Sequence, residues 1–221
     1  MRKLLSLVLM LALCSTAWAA NIASLNPVEQ GIQVTPRVGL QYNHDGSFEN
    51  GVAWQNAGCV APDYGAFGEC YDLTGEGMIT GVTFWLTQVG NFTGQPADIY
   101  VWEGSPPGNV LAVVPGHVFQ NIAFWPEVSQ HEVAINVPVN GIVTVGFWGN
   151  WPGVGAPFYV GADYNNAGCP WTKIAPDVGY PEGWQSPNLV WPEVTALGIG
   201  VTTQPSTATT ESSWSAINSL Y

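Results

Sequence analysis

Two kinds of side chain in this 221-residue chain are spaced to do chemistry: acids and amides in tight loops, and aromatics at alternate positions of apolar runs. Asp45 and Glu49, with Asn43 or Asn50 and backbone carbonyls, offer hard oxygen donors of the type calcium takes. Asp163, Asn165 and Asn166 form a second such group. Neither follows an EF-hand spacing, and Asp45-Gly46 reads more simply as a plain turn with solvated acids. The expected cofactor is therefore none, or calcium held by Asp45 and Glu49. Catalytic residues are expected to be none. His44, His117 and His131 lie far apart without HExxH spacing, and the chain carries no GxSxG and no Gly-rich phosphate loop. A glycosidase needs two acids flanking one bond; Asp45 and Glu49 are the nearest pair in sequence, and a turn explains them more simply.

The aromatics belong to a β pattern. Short segments rich in Val, Ile, Phe, Trp and Tyr alternate with Gly, Pro, Asn and Asp turns from Val38 onward. The clearest predicted strands are Met78–Val89, Ala97–Glu103, Asn109–Val114, His131–Val137, Ile142–Gly149, Pro157–Ala162 and Ala196–Thr203. Val139-Asn140-Gly141 reads as a hairpin turn, since Asn-Gly accepts the positive φ angles of type I′. Period two assigns faces. Val82, Phe84 and Leu86 share one face, as do Ile99 and Val101, then Val133, Ile135 and Val137, then Val143, Val145 and Phe147; these aliphatic sets are expected to form an inter-sheet core. The opposite faces mix polar residues with Trp85, Tyr100, Trp102 and Trp148. If those strands lie in one sheet, Trp85, Tyr100, Trp102 and Trp148, with Asp98, Thr83 and Thr144, form an outer aromatic patch. Sugar rings stack on such faces while polar neighbours satisfy hydroxyls. Alternatively the Pro-, Gly- and Trp-rich stretch 165–192, read as one long loop, folds over the patch and buries it, with Trp171, Trp184 and Trp191 as packing residues.

The fold class expected is all-β, a single antiparallel β-sandwich resembling a jelly roll over residues 37–203. Residues 1–19 read as a cleavable signal peptide: Arg2 and Lys3, an apolar run from Leu4 to Leu13, and small residues at Ala17 and Ala19. Residues 20–36 are a leader with a short strand at Ile32 to Val34. Residues 204–221 are a polar linker and a short tail in which Trp214, Ile217, Leu220 and Tyr221 allow a turn and a half of amphipathic helix. That tail is either an export, sorting or docking peptide or a frayed terminus. Removing the leader charges takes the formal charge from −12 to −14 and leaves Arg37 and Lys173 as the fixed cations. A surface this acidic repels phosphate backbones and anionic membranes, so no nucleic-acid partner is expected. No stretch beyond the leader is apolar enough for a transmembrane segment.

Export implies oxidising surroundings, and three cysteines come after the leader: Cys59, Cys70 and Cys169. An odd number leaves one thiol over or an intermolecular bond. The local pair Cys59 and Cys70, flanking a ten-residue loop, is the expected disulfide; Cys169 with either of the others is the alternative.

The runs VTFWLTQVGNFTGQPADIYVWEG, GFWGNWPG and GCPWTKIAPDVGYPEGW resemble an uncharacterised family of secreted β-sandwich proteins from environmental Gram-negative bacteria. VGLQYNHDGSFENG resembles the opening strand and turn of many secreted bacterial β-sandwiches. The closing SSWSAINSLY is similar to Trp-containing C-terminal tails of such proteins, with Asn218 where those tails carry Lys. The resemblance implies a jelly-roll-like sandwich located outside the cell or on its outer surface, and it brings no activity. The function expected is that of a non-catalytic secreted or cell-surface binding domain, carbohydrate-binding through an aromatic face. The alternative is a structural, self-associating component of an extracellular layer or filament.

Overall fold

The computed structural model describes residues 21–28 and 39–205. The signal segment, the strand expected at Ile32 to Val34, and the tail from residue 206 lie outside the described residues. In chain order the strands are β1 (Ile22–Ser24), β2 (Leu40–Tyr42), β3 (Asn50–Trp54), β4 (Phe67–Asp72), β5 (Gly77–Gln88), β6 (Ala97–Glu103), β7 (Val110–His117), β8 (Ala123–Phe124), β9 (Ser129–Val139), β10 (Ile142–Trp148), β11 (Tyr159–Asp163), β12 (Pro170–Ile174), β13 (Gly183–Gln185), β14 (Ala196–Leu197) and β15 (Ile199–Gln204).

They form two sheets packed face to face. The larger runs β1-β3-β11-β5-β15-β2, with β9 and β8 on the free side of β5 and β14 on β11; the smaller runs β13-β12-β4-β10-β6-β7. All pairs are antiparallel except the two-residue β8, which runs parallel to β5. The molecule is thus an all-β sandwich, and no helix among the described residues is long and apolar enough to cross a membrane.

The period-two assignment of inner faces holds. Val82, Phe84, Leu86, Ile99, Val101, Val133, Ile135, Val137, Val143, Val145 and Phe147 belong to one buried cluster between the sheets. Each such side chain contributes about 1.5–3 kcal/mol by leaving water. The strands carrying them, β5, β6, β9 and β10, lie within two residues of the positions the alternation predicts.

Three expectations need correction. Val139-Asn140-Gly141 is not a hairpin turn: β9 pairs with β5 in the larger sheet, whereas β10 lies between β4 and β6 in the smaller. The chain crosses between sheets there, and only Gly141, at φ 130°, takes a positive angle. The 165–192 stretch is not one loop, because it supplies β12 and β13, which extend the smaller sheet beyond β4. Its prolines sit at Pro170, the first residue of β12, and in connections, so its strands are short and punctuated. Trp85 does not share a sheet with Tyr100, Trp102 and Trp148, since β5 belongs to the larger sheet.

Candidate functional site

Register places the aromatics on the outer face of the smaller sheet in rows. Trp102, Thr144 and Cys70 are cross-strand partners; so are Tyr100, Gly146, Gly68 and Trp171; Asp98 partners Trp148. Trp102 is packed flat against Tyr100, ring centroids 4.9 Å apart and planes within 7°, while Trp184 of β13 meets it edge-on at 5.1 Å. A side chain at Gly68 would strike the Thr144 methyl at 2.6 Å and approach the Trp102 ring to 3.6 Å, so glycine leaves the slot that the indole fills. Trp102 is therefore 1% exposed. Trp184 is held by Lys173, its cross-strand partner, whose ammonium lies over the Trp184 and Tyr64 rings and bonds Asp63. Trp171 donates to Ser105 Oγ at 3.0 Å. The covered arrangement, rather than an open platform, is the one observed around Trp102.

Beside this cover the face opens. A cleft of about 320 Å³ is lined by Gln95, Pro96, Asp98, Trp148, Asn150, Trp151 and neighbouring residues. Both indole N–H groups are already committed, Trp148 to the Tyr64 carbonyl at 2.8 Å and Trp151 to the Pro96 carbonyl at 3.0 Å. The rings, 7% and 6% exposed, therefore offer the cleft a small carbon surface and no donors. Asp98 Oδ1 accepts the Gly116 N–H at 2.7 Å, which fixes the carboxylate at the wall. Gln95 and Asn150 add amides at the mouth. Apolar rings beside a few placed polar groups are the make-up of a small-ligand site. Of the residues proposed from sequence, Trp148 and Asp98 line this cleft; Tyr100 stands half-buried beside it, Trp102 is sealed, and Trp85 lies on the other sheet. Gln95, Asn150 and Trp151 were missed, because they sit in connections outside any alternating run.

On the outer face of the larger sheet, Trp85 is buried by residues 42–48. The Tyr42, His44 and Phe48 rings lie 5.8, 4.3 and 6.2 Å from it, and Phe48 and Trp85 fill space left by Gly161, Gly198 and Gly200. The Gly46 N–H donates to His44 Nδ1 at 3.1 Å, so the proton of the neutral ring belongs on Nε2, which is buried without a hydrogen-bond partner. Protonating Nδ1 would break that bond. Burial lowers the His44 pKa to about 4, against the opposing pull of Asp45. A neutral imidazole sealed among rings is a packing residue.

The two oxygen groups expected separately become one network. Asp163 accepts the Asp45 N–H on Oδ2 at 2.7 Å, and the Asn165 and Asn166 N–H groups on Oδ1. Glu49 accepts Tyr164 N–H on Oε2, and the Asn165 amide and Ser47 hydroxyl on Oε1. Asp45 Oδ1 accepts both donors of Ser47. Behind them Glu69, fully buried, accepts from Asn43, Cys169 N–H and Leu197 N–H at 2.8, 2.6 and 2.9 Å. Burial pushes its pKa up to about 7 despite these three donors. These hydrogen bonds tie the 43–50 turn to β11 and to the segment just after it. Among the described residues no group of three or more His, Cys, Asp or Glu is arranged to hold a metal.

The expected Cys59–Cys70 bridge is also corrected: the disulfide joins Cys70 to Cys169, 99 residues apart, with Cα atoms 5.2 Å from one another. Cys70 N–H bonds the Cys169 carbonyl where β4 meets the entry to β12, so sheet register brings the two together. Cys59 instead points into the inter-sheet core, where burial raises its thiol to about 12 and leaves it unreactive.

No protein-family model and no curated protein matches this chain.

Proposed function

We propose that this chain is a non-catalytic, secreted or cell-surface binding domain that takes a carbohydrate in the Trp148–Trp151 cleft. The observation carrying the reading is the cleft's make-up: two indoles with spent N–H groups, flanked by Asp98, Gln95 and Asn150. Sugar C–H faces match the carbon surface, and the carboxylate and amides match hydroxyls. The strongly shifted acid Glu69 and bases His44 and His131 do not line the cleft, which favours binding over acid–base chemistry. The signal-like leader and the Cys70–Cys169 bridge support an oxidising, extracytoplasmic location, for which the outer surface of a Gram-negative cell is the proposed setting.

The test is titration of intrinsic tryptophan fluorescence with a panel of soluble neutral polysaccharides, with and without calcium. A saturable change, weakened roughly tenfold by Asn150→Ala or Gln95→Ala, supports the cleft; that factor equals one hydrogen bond of about 1.4 kcal/mol. Both residues lie at the mouth, so their loss spares the fold. A flat response across the panel removes the carbohydrate reading for those sugars. The second reading, a self-associating surface component, is favoured by Val110, Leu111 and Val113, exposed on the edge strand β7. Sedimentation at rising protein concentration distinguishes it, since only self-association shifts the apparent mass.

A further inference from the structure

The cleft is one end of a longer aromatic surface. Asp98 of β6 pairs with Trp148 of β10, and Lys173 of β12 pairs with Trp184 of β13. Ala66, just before β4, joins the two pairs. It lies one step beyond the Phe147–Phe67 and Phe67–Thr172 partners, its carbonyl accepts the Lys173 N–H, and it shares a buried cluster with Trp148 and Trp102. Register therefore sets Asp98, Trp148, Ala66, Lys173 and Trp184 in one row across the smaller sheet. At strand spacing the three steps from Trp148 to Trp184 cover about 14 Å, which no single sugar ring spans.

Tyr64 ties the two ends of this row together. Its carbonyl accepts the Trp148 N–H at 2.8 Å, and its hydroxyl donates to Glu182, two residues before Trp184, at 2.6 Å. The Lys173 ammonium lies 5.4 Å from the centre of its ring and 5.8 Å from that of Trp184. Trp102 is sealed, whereas Tyr64, Tyr100 and Trp184 are half-buried and keep part of their surface in water. The charges on this face are Asp98, Asp63, Glu182 and Lys173. Lys173 is the one lysine or arginine among the described residues, and it is already paired with Asp63. No cation is left over to hold an anionic chain, and the acids repel one.

Building on the carbohydrate reading, we propose that the ligand is an extended, uncharged polysaccharide lying along this row, with one sugar in the Trp148–Trp151 cleft and a later one on Trp184 and Tyr64. The chain between them tethers the second contact to the first, so it forms at high effective concentration and affinity grows with ligand length. A disaccharide fills the cleft alone and gains nothing from Trp184.

Calorimetric titration of the full chain tests this, with linear β-1,4-linked oligomers of glucose, mannose and xylose, each as the disaccharide and the hexasaccharide. The hexasaccharide of the sugar that binds should bind at least about tenfold more tightly than its disaccharide. Trp184→Ala should bring the hexasaccharide down to the disaccharide's level and leave the disaccharide unchanged, which also reports an intact cleft. Asn150→Ala should weaken both lengths by the same factor. A hexamer of galacturonic acid should bind at least about tenfold more weakly than the neutral hexamers. Equal affinity for the two lengths, or a Trp184→Ala loss shared by the disaccharide, overturns the extended site and leaves the cleft reading standing. A galacturonic acid hexamer that binds as tightly as a neutral one overturns the uncharged class. Absence of binding by every oligomer overturns the extended site together with the carbohydrate reading.

Discussion

The two outer faces solve the same packing problem differently. Each carries a tryptophan set where glycines leave room: Trp85 beside Gly198 and Gly200 on the larger sheet, Trp102 over Gly68 on the smaller. Trp85 is sealed by a segment from early in the chain, 42–48, whose own anchor is the Asp45–Glu49–Asp163 network. Trp102 is sealed by Tyr100 and by Trp184, which arrives on an edge strand more than 80 residues later in the chain. The first seal is closed, with Trp85 2% exposed. The second also keeps Trp102 from water, 1% exposed, but its covering rings Tyr100 and Trp184 stay half-buried and the Asp98–Trp148–Trp151 cleft lies beside them. A tryptophan on an outer face can therefore be sealed and still stand beside an open cleft.

The largest expected effect falls on the smaller sheet. Cys70→Ser opens a 99-residue loop and should cost roughly 4–5 kcal/mol in urea unfolding. Hydrogen exchange should show β12 and β13 loosening before the 42–48 segment, because the bridge anchors the entry to β12 and not the other seal. The reverse order would erase the distinction drawn between the faces. Next comes Trp85→Ala, expected to lose about 3–5 kcal/mol, against about 1–2 kcal/mol for half-buried Trp184→Ala. Equal losses would mean that the two covers are equally tight.

A pH dependence sharpens the contrast on the His44 side. His44 has a folded pKa lowered from 6.5 to about 4, so the unfolded chain binds more protons between those values. Its contribution is fully present above pH 6.5 and is lost as pH falls toward 4, by about 3 kcal/mol. His131, lowered to about 4 by burial and by His117, acts in the same direction. Glu69, raised from 4.5 to about 7, acts oppositely: its contribution is full below pH 4.5 and lost as pH rises toward 7. His117 is also lowered by burial and Asp163 raised by it, so three histidines against two carboxyls predict stability rising with pH from 4.5 to 6.5. His44→Phe, which keeps an aromatic in the cage, should flatten that rise in denaturation midpoints measured across the interval. An unchanged slope would show that His44 is not the group that sets it.

The smallest expected effect concerns the network under the first seal. Because Asp45, Glu49 and Asp163 already accept N–H and O–H donors, chelator treatment should leave the melting temperature within about 1 °C. A clear drop restored by calcium would return these acids to the ligand role their residue types suggest.

Sequence determined the strands whose two faces differ in chemistry. β5, β6, β9 and β10 alternate aliphatic with polar or aromatic residues, and period two alone places Val82, Phe84, Ile99, Val101, Ile135 and Val145 inside. β3 and β12 escaped because their faces are less distinct: every residue of β3 is buried, and β12 is short and opens on proline. Partnership was beyond reach, since alternation says which side a residue faces and not which strand lies next to it. That is why Asn140-Gly141 proved a crossing between sheets, why Trp85 parted from Trp102, and why Cys70 found Cys169 instead of its neighbour Cys59. The cleft likewise joins residues from three stretches, 95–98, 148 and 150–154, which only the pairing of β6 with β10 brings together. Local patterns reflect the solvent each side chain prefers; long-range pairing depends on a register that the completed sandwich selects.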